Sequence, residues 1–314
     1  MTQTEAAARD SLVAVKRIVL AGLVLVAGIF VFYRPARIWA LVTAGRAQGC
    51  TLQHALGIDE RFVRQTQIKD RILAASKLVQ KDDEGYSLYE TPYGPYWIPS
   101  GDQYVLPFNL AEQEMQIYGT GDRAVRAGDI VLDCGANVGV YTRVALKAGA
   151  KLVVSIEPAP ENLECLRRNF AKDVADGRVI IYPKGVWDKE DVLELRRDPN
   201  NTAADSFVLL RDKTASSVQA PLTTIDILVD ELKLPRVDFI KMDIEGAEVK
   251  AIHGARSTID KFHPRMALTT YHQPDHAVEV PKAVLEAWPL YHVESGPCAF
   301  VDRFTIRPDV VYFY

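Results

Sequence analysis

Asp133, Glu157, Asp243 and His272 stand where apolar runs of the sequence end, and that placement makes them candidates for chemistry. Residues 130–132 form a short apolar run of the kind that a parallel strand buries on both faces, and apolar residues recur at helical spacing over 141–148. Asp133 therefore ends a strand. Gly135 and Gly139 let the backbone turn tightly and let a ligand approach without a Cβ in the way. Free N–H groups at the following helix start point into the same crevice. A second apolar run, 152–156, ends in Glu157 about two dozen residues further on, roughly the separation expected of an acid that binds ribose hydroxyls. The turn departs from GxGxxG, since it begins with an acid and places Asn137 where a middle glycine would admit a pyrophosphate. The pattern points to a nucleoside that lacks one.

A second group lies further along. Asp243 and Glu245 are two apart at the end of a strand-like run, so both face one pocket if the chain stays extended. His272 follows the next apolar run and should reach the same carboxyl-end surface. Asp243 is the first candidate for deprotonating or orienting an acceptor, and His272 is the second. His276 and His253 have weaker claims. Asp243, Glu245 and His272 together could coordinate a divalent cation, but their spacing does not demand one and no metal is assigned.

Three blocks in order carry a family resemblance: Asp133-Cys-Gly-Ala-Asn-Val-Gly139, Ile156-Glu-Pro-Ala-Pro-Glu-Asn162 and Asp238-Phe-Ile-Lys-Met-Asp-Ile-Glu-Gly-Ala-Glu248. They resemble the FkbM-type S-adenosylmethionine-dependent methyltransferases, over about residue 122 to the C-terminus. The third block, with its following His-Gly-Ala255, is the more family-specific. The resemblance implies a class I methyltransferase fold: a doubly wound, mostly parallel α/β sheet closed by a C-terminal antiparallel hairpin. It also implies S-adenosyl-L-methionine as cofactor. Asp133 would hold the methionine ammonium directly or through water, and Gly135, Ala136, Asn137 and Gly139 would form the turn. Glu157 would bind the ribose and Pro158 would cover an adenine face, with Gly185 and Val186 as weaker adenine contacts. The implied reaction is O-methylation of a hydroxyl on a glycan, a lipid-linked intermediate or another secondary metabolite. Two other readings stay open: a membrane-tethered interaction module without turnover, and an NAD-dependent oxidoreductase, which the missing GxGxxG disfavours.

The 314 residues are 48% hydrophobic and 25% charged, ordinary globular composition. A formal net charge of −4 argues against a nucleic-acid partner. Cys50, Cys134, Cys165 and Cys298 are scattered without a close pair, so the sequence suggests neither a zinc site nor a disulfide framework and fits a reducing compartment.

Residues 18–33 carry no charge and as a helix would span about 24 Å at about 1.5 Å per residue, against a hydrocarbon core of about 30 Å. Extension back to residue 12 gives roughly 33 Å, provided Lys16 and Arg17 snorkel. The expectation is an uncleaved single-pass anchor, with the catalytic domain on the cytoplasmic side because S-adenosylmethionine is made there. Flanking basic residues on both sides leave the orientation undecided by charge.

The chain accordingly divides into an anchor segment (1–40), a helical and hairpin accessory region (41–121) and a methyltransferase domain (122–314). In the accessory region, 59–81 reads as a charged helix whose Phe62, Ile68, Ile72, Leu73 and Leu78 pack onto something. Residues 85–101 read as an aromatic-rich hairpin, either shaping an acceptor pocket or closing over the core. Strands are expected at 152–156, 179–182, 237–242 and 265–270, a helix at 160–171, a segment 222–232 leading into the strand at 237–242, and a final strand pair at 290–294 and 309–314. Oligomeric state is not legible.

Overall fold

The computed structural model describes residues 16–22, 28, 30, 32–198, 201–209 and 216–314. After helices Arg34–Thr43, Leu52–Leu56 and Ile58–Ala75, three antiparallel strands follow: β1 (Lys77–Lys81), β2 (Tyr86–Thr91) and β3 (Gly94–Pro99). The expected hairpin is β2–β3, and the expected charged helix stops at Ala75, where β1 begins. Ile68 and Ile72 are buried, Leu73 is half-buried, and Phe62 and Leu78 are exposed, so only two of that apolar set of five are fully packed inward. Ile68, Ile72, Tyr96, Ile98, Leu106 and Leu110 share one apolar cluster with Val138, Val140 and Cys165. The accessory region is thus packed onto the nucleotide fold through a common core.

The main sheet contains β4 (Ile130–Cys134), β5 (Leu152–Ile156) and β6 (Val179–Tyr182). A smaller sheet of β7 (Gly185–Val186), β8 (Asp191–Arg196) and β9 (Ser217–Thr223) interrupts it. The main sheet then resumes with β10 (Phe239–Met242) and β11 (Arg265–Thr269), and β12 (Val293–Ser295) joins it. A hairpin of β13 (Cys298–Asp302) and β14 (Thr305–Pro308) precedes the last strand, β15 (Val310–Phe313). The main order is β12-β15-β11-β10-β4-β5-β6. Its central strands are parallel, and β15 runs antiparallel to both β11 and β12. This is the expected doubly wound α/β architecture.

Apolar residues of β4, β5, β10 and β11 are shared between two clusters, one on each face, with Leu132, Val154 and Ile240 in one and Val131, Val153 and Phe239 in the other. A strand buried on both sides has no polar face, which is why these runs read as continuously hydrophobic. From β4 the chain winds out through β5 and β6, then returns to place β10 and β11 on the other side. The reversal between β4 and β10 leaves a crevice beyond their carboxyl ends, the ligand position in open α/β sheets.

Two expectations are corrected. No helix among the described residues is long and apolar enough to cross a membrane, so the single-pass anchor and the cytoplasmic placement built on it are not supported. Residues 12–15, 23–27, 29 and 31 of the expected anchor lie outside the described set. Cys50 and Cys298 form a disulfide across a sequence separation of 248, whereas Cys134 and Cys165 are free and buried. The bridge ties the N-terminal segment to β13, so the reading of no disulfide is corrected, and the reducing compartment loses the observation it rested on. Sequence distance hid the pair, because only the fold brings these positions together.

Candidate active site

Parallel register fixes the floor of the crevice. Lys241 on β10 lies beside Asp133 on β4, and both side chains are buried. Lys241 Nζ stands 3.2 Å from Asp133 Oδ1 and donates to Gly135 O at 2.7 Å. Thr142 Oγ1 donates to Asp133 Oδ2 at 2.7 Å. Burial lowers the affinity of Lys241 for its proton, but Asp133 and Asp243 more than restore it and hold the ammonium charged. Asp133 is therefore a buried counter-ion beneath the turn and is absent from the cavity walls.

The turn is held at both ends. Gly135 N and Ala136 N each donate to Ile156 O at 3.0 Å, and Asp243 N donates to Cys134 O at 3.1 Å. Gly135 has φ 77°, and a Cβ there would lie 1.9 Å from Asp243 O, so glycine is required for both conformation and space. Gly139 is required for packing: its Cβ would meet the Phe170 ring at 2.1 Å. Gly139 lines neither cavity.

Glu157 is more buried than a strand-end ribose ligand would suggest, at 6% exposed. Its Oε2 accepts from Asn137 N and its Oε1 from Ala159 N, each at 2.9 Å. Burial pushes the carboxyl up to about 7 against the pull of those two N–H groups. One wall of Glu157 still meets a narrow cavity of about 50 Å³ with Pro158, Gly185, Val186, Leu195, Asp205 and Phe207. A nucleoside is larger than this, and Thr202, Ala203, Asp205 and Phe207 of the segment 201–209 are among the residues that confine it. Thr202 in that segment is held by Asp102 and by Asn162.

A wider cavity of about 540 Å³ opens beside it. Gly135, Asn137, Ala203, Asp243 and Glu245 line both. The wide cavity adds Tyr104, Phe108, Asn109, Glu112 and Gln113 from the helix Val105–Glu114 and its N-cap, with Tyr118, Asn201 and Tyr271. Asp243 and Glu245 thus stand where the two spaces meet. Tyr118 and Tyr271 hydroxyls donate to Asp243 Oδ2 and Oδ1 at 2.7 and 3.3 Å. Glu245 has φ 54°, a left-handed conformation that a non-glycine residue adopts at some cost. Desolvation, then the charge of Asp243, push Glu112 up to about 8, which keeps it protonated at neutral pH.

His272 lies directly behind this pair. Its Nδ1 is 2.8 Å from Glu248 Oε1, and its Nε2 is 3.2 Å from Glu245 Oε1 and 3.5 Å from Asp243 Oδ1. Glu248 is fully buried and also stands 3.2 Å from His276 Nδ1. Burial disfavours the imidazolium, but the surrounding carboxylates outweigh it and raise His272 well above its usual value. An imidazole that already holds its proton is a poor base. His253 lies on the exposed side of the helix Glu248–His253, away from the site.

The structure therefore brings together Gly135, Ala136, Asn137, Glu157, Pro158, Gly185, Val186, Asp243 and Glu245 around the two cavities, with His272 behind them. Sequence reading missed Lys241, Glu112, Tyr118 and Tyr271. Lys241 had a signal, since it is a charged residue inside an apolar run two before Asp243; the expected extended alternation does not reach Glu245, because β10 ends at Met242 and Glu245 is left-handed. Glu112 and Tyr118 come from upstream of the nucleotide fold and had none.

The methyltransferase FkbM domain matches residues 133–288. The chain is 23% identical over 181 residues to the 31-O-demethyl-FK506 methyltransferase FkbM of Streptomyces tacrolimicus, covering 49% of this chain and 69% of that protein. It is 25% identical over 136 residues to the hexuronic acid methyltransferase AglP of Haloferax volcanii, covering 43% of this chain and 53% of that one, so it spans only about half of the second relative. A solved structure of an FkbM methyltransferase from Methylobacillus flagellatus aligns with a TM-score of 0.46 at 19% identity, over 81% of this chain and 59% of that one. With the domain match covering the turn, Glu157, Asp243 and Glu245 where the cavities meet, this chain is an enzyme of the FkbM family of class I methyltransferases.

Proposed function

We propose that the protein transfers the methyl group of S-adenosylmethionine to a hydroxyl oxygen of a glycan, a lipid-linked intermediate or a related secondary metabolite. The observation that carries this reading is the meeting of a narrow and a wide cavity at Asp243 and Glu245. Adenosine would occupy the narrow side, with Glu157 toward the ribose and Pro158, Gly185 and Val186 around the base. The methionine portion would run over Gly135, Ala136 and Asn137, with Asp133 acting from beneath through Lys241. The wide side takes the acceptor. Its Asn109, Gln113 and Asn201 can hydrogen-bond hydroxyls, and Tyr104 and Phe108 at its wall offer apolar faces. The names of the two curated relatives, one acting on an oxygen of FK506 and one on a hexuronic acid, support an oxygen acceptor.

Methyl transfer is an in-line displacement, so positioning contributes much of the rate, about 7 to 11 kcal/mol in favourable systems. Asp243 accepts or orients the acceptor proton, and Tyr118 and Tyr271 fix the direction of its carboxylate. The test is labelled methyl transfer into glycan, lipid and metabolite extracts, followed by identification of the product. Label on an oxygen of one extract component is expected. Thermal stabilisation by NAD but not by S-adenosylhomocysteine, with no label transferred, would overturn the reading.

A further inference from the structure

Three carboxylates converge on one imidazole at the junction of the cavities. Asp243, Glu245 and His272 can each offer one ligand atom, and these atoms lie within 4.8 Å of one another. The His272 side chain is 3% exposed, and its Nε2 makes no hydrogen bond of good geometry although it points between Asp243 and Glu245. Its Nδ1 faces Glu248 Oε1 at 2.8 Å. A carboxylate only accepts, so this contact places a proton on Nδ1, and Nε2 is the ring atom that faces two more carboxylates. That arrangement is repulsive unless a positive charge lies between them. A proton on Nε2 supplies that charge when no cation is bound, paired with Glu245 Oε1 at 3.2 Å, and a metal cation would displace it. The carboxylate–histidine pairing behind the site is the arrangement that commonly orients a histidine ligand toward a metal. Glu248 is itself fixed, accepting from Ile244 N and Thr269 Oγ1 at 3.1 Å each.

We propose that Asp243, Glu245 and His272 bind one divalent first-row metal cation at the junction of the two cavities, where it would take the acceptor hydroxyl as a further ligand. One nitrogen and two carboxylate oxygens suit Mn²⁺, Fe²⁺ or Zn²⁺ better than an all-oxygen cation such as Ca²⁺. Tyr118 and Tyr271 would then orient Asp243 as Glu248 orients His272. This deepens the proposed O-methylation and rests on it for the role, though not for the binding. The cation would lower the acceptor's pKa. The hydroxyl proton would pass to the Asp243 oxygen not bound to the cation, the oxygen would bond to the methyl carbon, and the carbon–sulfur pair would return to sulfur as S-adenosylhomocysteine leaves.

The test uses the full chain stripped with a chelator and titrated with Mn²⁺, followed by electron paramagnetic resonance. S-adenosylhomocysteine affinity is measured by calorimetry on the same samples. One site per chain is expected, at least 10-fold weaker in Glu245→Gln, 10- to 100-fold weaker in Glu248→Gln, and unchanged in the surface variant Asp122→Asn. His272→Asn serves as a second ligand variant should Glu245→Gln fail to fold. Absence of Mn²⁺ binding up to millimolar concentration, or equal binding by Glu245→Gln, His272→Asn and the parent, would overturn the cation site. The two readings separate cleanly: S-adenosylhomocysteine binding without Mn²⁺ binding removes only the cation, and Mn²⁺ binding without S-adenosylhomocysteine binding removes only the cofactor assignment.

Discussion

The narrow and wide cavities share Asp243 and Glu245 but are built in opposite ways. The narrow one is walled partly by the tips of β4 and β5 and the glycine turn, where placement follows from strand order, and partly by β7, β8 and residues 202–207. The wide one takes Tyr104 to Gln113 from a helix upstream of the nucleotide fold, then Tyr118, Asn201 and Tyr271 from separate segments. Local chain geometry therefore specifies the floor that the two share and the Glu157 side of the first, whereas tertiary packing supplies the outer wall of the second. Cofactor binding should tolerate changes on the wide side, and acceptor recognition should tolerate changes on the narrow side.

The largest effect is expected where the cavities meet. Asp243→Asn keeps the shape and one acceptor oxygen for Tyr118, but cannot take up a proton. It should lower turnover by roughly 10² or more while S-adenosylhomocysteine affinity stays within a few-fold. Single-turnover kinetics and calorimetry on the same protein check this, and a parallel loss of melting temperature and cofactor affinity would make Asp243 a support for the turn instead.

Next comes Glu157→Ala. Its ribose-facing role predicts a loss of cofactor affinity worth about 1.5 to 3 kcal/mol. Because the carboxylate also accepts from Asn137 N and Ala159 N, the same change should lower melting temperature by a measurable amount. Unchanged affinity in folded protein would remove Glu157 from ribose binding.

A smaller effect tests the wide side alone. Tyr104 is 67% exposed at the cavity wall, so Tyr104→Ala should raise the acceptor's KM several-fold, as expected for about 0.5 to 1.5 kcal/mol of lost ring contact, with no change in S-adenosylmethionine KM. A shift in the cofactor's KM instead would merge the two cavities into one functional unit.

The smallest concerns pH. Glu112 is raised from 4.5 to about 8, so between these values the folded protein holds a proton that the unfolded chain has lost. Stability from this group therefore falls as pH rises through that window. Glu112→Gln should raise melting temperature at pH 8 and leave it nearly unchanged near pH 4. Calorimetric scans at the two values would show no difference between them if Glu112 were ordinarily ionised.

Legibility followed the same division. The strands at 130–134, 152–156, 179–182 and 239–242, the turn and Glu157 were readable because continuous apolar runs ending in acids and glycines admit few structures. Asp133 was placed correctly on its strand, yet its role changed once Lys241 was seen beside it, a contact set by cross-strand register. The Cys50–Cys298 bridge and the helix Val105–Glu114 over the site were invisible, since neither has a local signature. The apolar run at 18–33 shows the reverse error, where hydropathy alone was read as a membrane span.

A crystal structure of the full chain with S-adenosylhomocysteine tests the central claim most directly. The account predicts adenosine between Glu157, Pro158, Gly185 and Val186, residues 201–209 displaced to admit it, and the sulfur turned toward Asp243 and the wide cavity. Adenosine seated instead against Tyr104 and Phe108, with the narrow cavity unchanged, would contradict it.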